Sequence, residues 1–190
     1  GGEVYTIDRT APAVSSIVRA DANPTGAASV NFTVTFSENV TGVNNPDFTL
    51  NVSGITGAAV TSTTQVTAST YTVAVSTGTG SGTIRLDFVD NNSVTDSVGN
   101  ATATGFTSGQ SYTVDRTGPD VSSINRASGN PTNAATVNYT VVFDENATGV
   151  DAADFTVNMS GGVTGASVGT VTQNTPTNYT VSVNTGANSG

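Results

Sequence analysis

Residues Asn23–Gly54 read NPTGAASVNFTVTFSENVTGVNNPDFTLNVSG, and Asn130–Gly161 read NPTNAATVNYTVVFDENATGVDAADFTVNMSG, at a constant offset of 107 residues. Within the first stretch Val30, Phe32, Val34 and Phe36 alternate with Asn31, Thr33 and Thr35, and Phe48, Leu50 and Val52 alternate with Thr49 and Asn51. Successive side chains of a strand point to opposite faces, so this period of two predicts strands with one buried face and one wet face. The pattern continues beyond the stretch. Tyr71, Val73 and Val75 flank Thr72 and Ala74, and Ile84, Leu86 and Phe88 flank Arg85 and Asp87. Sheets with a single apolar face bury it against each other, which predicts an antiparallel sandwich.

The repetition covers the rest of the chain as well. VYTIDRTAPAVSSI (Val4–Ile17) returns as SYTVDRTGPDVSSI (Ser111–Ile124) at 107, and TYTVAVSTGTGSG (Thr70–Gly82) returns as NYTVSVNTGANSG (Asn178–Gly190) at 108. Adding a strand at Val14–Ile17 and another across Ala59–Val66 gives about seven short strands per repeat, the immunoglobulin-like pattern. The fold reading is all-β, with tandem immunoglobulin-like β-sandwich domains of about seven antiparallel strands each. Residues 1–8 are expected to be the closing strand of a preceding repeat, 9–117 a complete repeat, and 118–190 a second repeat truncated before its last two strands. Those strands, equivalent to Thr83–Asp90 and Gln110–Arg116, are expected to follow Gly190. The alternative is that another chain supplies strands by addition, for which Gly1–Arg9 matches Gln110–Arg116.

Composition narrows the function. Five Arg, no Lys and fourteen acids give a net charge of −9, which argues against nucleic acid and anionic membranes as partners. There is no His and no Cys, so the usual general base, thiolate metal sites and disulfides are all missing. Ser and Thr are plentiful but have no partner to activate them, so the chain reads as not an enzyme. The apolar share is lean at 35%, yet its placement with period two indicates folded β structure. No signal peptide or membrane-spanning run is visible, and an opening on Gly-Gly-Glu in mid-phrase reads as a piece of something longer.

The phrases IDRTAP, VTFSENVTGV, DFTL and DSVGN, in that order, resemble the tandem bacterial immunoglobulin-like repeats of large surface adhesins and biofilm-associated proteins. The resemblance covers essentially all 190 residues. It implies an extracellular or cell-surface bacterial location and a structural role in a multi-domain stalk, adhesin or filament. It also implies calcium at domain junctions, where it stiffens the array, and neighbouring repeats of the same protein as partners. The alternative is a carbohydrate- or protein-binding immunoglobulin-like module. Against it, Tyr5, Phe32, Phe36, Phe48, Tyr71 and Phe88 all carry the inward parity, which leaves no aromatic platform.

In such a sandwich, the loops SENVTGVNNPD and DNNSVTDSVGN lie at the pole where the chain enters. Asp8, Glu38, Asp47, Asp90 and Asp96 are expected to gather there, and Asp115, Glu145 and Asp154 at the matching pole of the second repeat. A hard divalent cation takes six to eight oxygens from carboxylates, carbonyls and Asn, and calcium suits flexible loops better than magnesium. Two other readings stay open: solvated turn residues, since Asp and Asn favour loops, and neutralisation by Arg9 and Arg116.

Overall fold

Every alternating run expected within residues 9–117 forms a strand. β1 spans Val14–Arg19, β2 Ser29–Phe36, β3 Phe48–Ser53, β4 Ala59–Thr67, β5 Thr70–Ser76, β6 Gly82–Phe88 and β7 Ser111–Val114. All ladders between them are antiparallel, in two sheets of order β1-β2-β5-β4 and β3-β6-β7. This is the four-plus-three strand order of an immunoglobulin-like sandwich. The structure, a computed structural model, describes residues 1–188. The chain divides into two compact units, Gly1–Thr117 and Gly118–Gly190, the last two residues of which lie outside the described range.

The first unit buries the faces that the alternation marks. Val30, Phe32, Val34, Phe36, Phe48, Tyr71, Val73, Ile84, Leu86 and Phe88 are all buried, and Leu50 packs against them partly buried. Phe36 stands edge-on to both Tyr71 and Phe88, with ring centroids 5.8 and 5.7 Å apart. Such T-shaped pairs add about 0.5–1.5 kcal/mol each beyond the area they bury. Val14, Ile17, Val40, Ile55, Val75, Val94, Tyr112 and Val114 complete the core from strands and loop anchors.

Three side chains of inward parity lie outside this core. Tyr5 and Ile7 share the parity of Tyr112 and Val114, yet they are 89% and 72% exposed, and residues 1–13 form no strand. Parity marks which face a side chain would present; burial also needs a partner sheet, and residues 4–8 have none. Val52 is 41% exposed although it alternates with Asn51, because it lies near the end of β3.

In the second unit β8 (Val121–Arg126), β9 (Thr136–Phe143), β10 (Ser167–Thr175) and β11 (Asn178–Asn184) form one sheet, of order β10-β11-β9-β8. It repeats the β1-β2-β5-β4 sheet strand for strand. Val141, Tyr179, Val181 and Val183 make its core, and Tyr179 Oη donates to Ala147 O at 2.8 Å as Tyr71 Oη does to Val40 O at 3.0 Å. The counterpart of β3, residues 155–160, is extended in sequence pattern but is not a strand. In the first unit β3 is paired to β6 over its whole length, and that ladder partner has no counterpart among the described residues of the second. An unladdered run keeps its backbone groups for water.

Candidate functional site

The β2–β3 and β6–β7 connections meet at one end of the first sandwich. Thr41 and Thr95 exchange two backbone hydrogen bonds, at 2.8 and 3.1 Å, and lock the loops together. Asp47 ties the same loops from inside. It is fully buried at the third position of a short 3-10 turn (Asn45–Asp47), where Oδ2 accepts from Asn44 N at 2.7 Å. Its Oδ1 accepts from Asn91 Nδ2 at 2.8 Å and Ser93 Oγ at 2.6 Å. Asp90 turns inward too, with Oδ1 accepting from Thr102 Oγ1 at 2.8 Å. Asp47 thus accepts on both oxygens, and Asp90 on Oδ1, where Asn92 N also donates at 3.2 Å.

Asp8, Glu38 and Asp96 are arranged differently. One carboxylate oxygen of each lies within 4.8 Å of the others, and the three grade from exposed Asp8 to buried Asp96. The stretch DSVGN explains how Asp96 is held. Its Oδ1 accepts from the backbone N–H of Val98 at 2.9 Å and of Asn100 at 2.8 Å, and Oδ2 accepts from Asn100 Nδ2 at 2.8 Å. Removal from water pushes the Asp96 carboxyl up, and the hydrogen bonds from Asn100, Val98 and Gly99 outweigh it, holding the group below its ordinary value. Asn100 also reaches the incoming chain, donating from Nδ2 to Asp8 O at 3.4 Å. Asp8 Oδ1 accepts from Thr10 N at 2.9 Å, which turns the entering chain.

No arginine neutralises this trio: among the described residues the one ion pair is Arg85–Asp87, on β6. Arg116 is used elsewhere, donating to Gly80 O at 2.9 Å, Ala27 O at 3.3 Å and Thr77 Oγ1 at 2.6 Å. What the trio offers is hard oxygen. Asp96 Oδ2 has one donor and so keeps a lone pair, and among the described residues none donates to the Glu38 carboxylate.

The remaining expected acids sit as follows. Asp115 Oδ1 accepts from Thr117 N at 3.0 Å, as Asp8 does from Thr10. In the second unit Asp154, the counterpart of Asp47, is exposed and accepts from Asp151 N at 2.9 Å. Glu145 is half-buried, beside an Asp144 whose Oδ1 accepts from Asp120 N at 2.8 Å. Sequence reading missed Asn100 as the residue that joins the entering chain to the loop, although the Asp96–Asn100 spacing of DSVGN carried the signal. It also missed that Asp47 is a buried tie, since its two side-chain donors lie 44 and 46 positions away.

No protein-family model matches the chain, and no curated protein matches it. Among the described residues no helix is long and apolar enough to cross a membrane. Among solved structures the chain is similar to FdeC, described as a broadly conserved Escherichia coli adhesin, with 17% identity and a TM-score of 0.40. The match covers 94% of this chain and 58% of that one.

Proposed function

We propose that the chain is a structural repeat module of an extracellular or cell-surface stalk, adhesin or filament, and that calcium at the entry pole stiffens its junctions. The observation that carries this reading is the position of Asp8. Asp8, on the chain that enters the first sandwich, contributes its carboxylate to an acid trio with Glu38 and Asp96. Three carboxylates without an arginine partner, one of them buried, suit a hard divalent cation with oxygen ligands. Asp8, Glu38 and Asp96 would hold the ion. Bound there, calcium supplies charge neutralisation and a cross-link between the linker and the β2–β3 and β6–β7 loops.

The module carries no Lys, His or Cys to activate its hydroxyls, which supports a non-catalytic role. Burial of Phe32, Phe36, Phe48, Tyr71 and Phe88 leaves them no part in a sugar-stacking platform.

Thermal unfolding in calcium and in chelator tests the proposal. A ligand that binds only the native state at a hundred times its Kd adds about 2.7 kcal/mol. The melt is expected to rise in millimolar calcium, return with chelator, and become indifferent to both in Asp96→Asn. A melt that does not respond to calcium overturns the metal. The stalk itself is tested separately, by electron microscopy of a multi-repeat chain, where compact particles in place of extended rods would overturn it.

A further inference from the structure

Charge is unevenly placed along the chain. Between Asp47 and Arg85 no residue is Asp, Glu, Lys or Arg, and none of these follows Asp154. All of β3, β4 and β5 fall in the first of these stretches, so none of the acids behind the net charge of −9 lies on them.

Two of the strands that end a sheet in the first unit have their outer side covered. Gln110 N donates to Ile17 O at 3.0 Å and Gln110 Oε1 accepts from Arg19 N at 3.0 Å, which covers β1. Thr25 N donates to Thr113 O at 3.0 Å and Thr25 O accepts from Asp115 N at 2.9 Å, which covers β7. The other two edges are β3 and β4, of which β4 is the longer, nine residues against six. β4 pairs only with β5, and among the described residues no backbone group of Ala59–Thr67 bonds outside that ladder.

An unpaired edge is a template for another strand, and folded proteins blunt it with Lys, Pro or an inward-pointing charge. β4 reads AVTSTTQVT and has none of these. It has two register shifts, between Val60 and Ser62 and between Gln65 and Thr67, which leave Ser62–Gln65 as its regular run. Thr63 Oγ1 donates to Asn45 Oδ1 at 2.8 Å and Thr61 Oγ1 to Ala74 O at 3.0 Å, so the run is held in place from its own side. Ser62, Thr64 and Val66 are exposed, Val66 at 62%. The same edge recurs in β10, nine uncharged residues with shifts between Val168 and Val171 and between Gln173 and Thr175.

We infer that β4 pairs antiparallel with β4 of a second copy of this chain, across a two-fold axis beside Thr64. The occupant follows from charge. Two copies at −9 repel each other, and an edge without charge is where they approach at least cost. A strongly basic or acidic partner would find no counter-charge on this strand. In this register Thr64 faces Thr64, a favourable cross-strand pair, and Ser62 of each copy faces Val66 of the other. The two β1-β2-β5-β4 sheets then run on as one. The same patch serves on both copies, so the contact closes on itself as a dimer. The bulges keep the paired run short, which makes the contact reversible. It requires neither the metal nor the stalk.

The chain has no Cys, so a single introduced thiol reports on the contact. Opposite residues of an antiparallel pair lie about 4.5–5.5 Å apart at Cα, within the span of a disulfide. In a glutathione redox buffer, Thr64→Cys is expected to link into covalent dimers about tenfold faster than Ser15→Cys, an exposed position on β1, because pairing raises the effective concentration of the two thiols. Adding Ser62→Asp and Val66→Asp to Thr64→Cys sets like charges opposite each other and is expected to slow linking to the Ser15→Cys rate, with an unchanged melt. Mixing that chain with one carrying Thr64→Cys, Ser62→Lys and Val66→Lys is expected to restore the fast dimer as a mixed pair. Thr64→Cys that links no faster than Ser15→Cys overturns the inference. So does an Asp-bearing chain that links as fast as Thr64→Cys alone, or an oppositely charged mixture that stays slow while both chains keep their melts.

Discussion

Replacing Tyr112 by Phe removes one oxygen from the first unit and leaves the ring. That oxygen bridges the backbone just past β1 to β2: it accepts from Asp21 N and donates to Asn31 O, each at 2.7 Å. A hydrogen bond of this kind contributes about 0.5–1.5 kcal/mol net, so the pair is worth roughly 1–3 kcal/mol. The ring is fully buried, 5.0 Å from Phe32 and 6.0 Å below the Arg19 guanidinium, contacts that Phe retains. A central loss of about 2 kcal/mol, divided by a urea slope of about 2 kcal/mol/M, moves the unfolding midpoint of the first unit down by about 1 M. Urea unfolding followed by circular dichroism measures it. The control is the same substitution in the same phrase: Tyr5→Phe, on a side chain that is 89% exposed, is expected to leave the midpoint where it was. If Tyr112→Phe proves as harmless as Tyr5→Phe, the hydroxyl bridge does not hold the unit together and the reasoning fails.

Asp47→Asn sets an amide N–H against a donor whichever way it turns, since Asn44 N lies on one carboxylate oxygen and Asn91 and Ser93 on the other. It is expected to cost about 2–4 kcal/mol by thermal melting, against little for Asp154→Asn, and equal effects at the two sites would sink the argument. Leu86→Ala empties a fully buried site and is expected to cost about 2–5 kcal/mol in urea unfolding. Acid dependence has a definite sign. Asp96 is held below its ordinary value of 3.8, so its contribution is complete above that pH and lost as pH falls through the lowered folded value. Urea midpoints measured against pH should therefore fall less steeply below about pH 4 in Asp96→Asn than in the wild type.

Much of the first unit was legible because each strand carries its own period of two. Val30, Phe32, Val34 and Phe36 announce their face without reference to any other residue. What the sequence could not announce was pairing. Tyr5 and Tyr112 sit in nearly identical phrases, and one is exposed while the other is buried, since burial is a property of the partner sheet. The same reason separates Phe48–Ser53, laddered to β6, from residues 155–160, which are not a strand. At the pole, composition and turn positions located the acids but could not sort them. Asp47 and Asp96 look alike in sequence, and each accepts three hydrogen bonds spread over both of its oxygens, but only Asp96 stands with two further carboxylates. That distinction is made by Asp8 and Glu38, distant from Asp96 in the chain.

The last strand of the first unit is held along both edges. On one side β7 pairs with β6, from Gly82 opposite Val114 to Arg85 opposite Ser111, and on the other Thr113 and Asp115 bond the backbone of Thr25. Strand hydrogen bonds lie crosswise to the chain. A pull on the polypeptide beyond Arg116 therefore strains both rows in shear and together, where a strand peeled from one edge would lose its bonds singly. Resistance to such a pull is set by how fast the clamp opens, not by the equilibrium stability of the fold. The unit's exit is built as a mechanical lock, which would remain closed under load even where the sandwich behind it is only marginally stable.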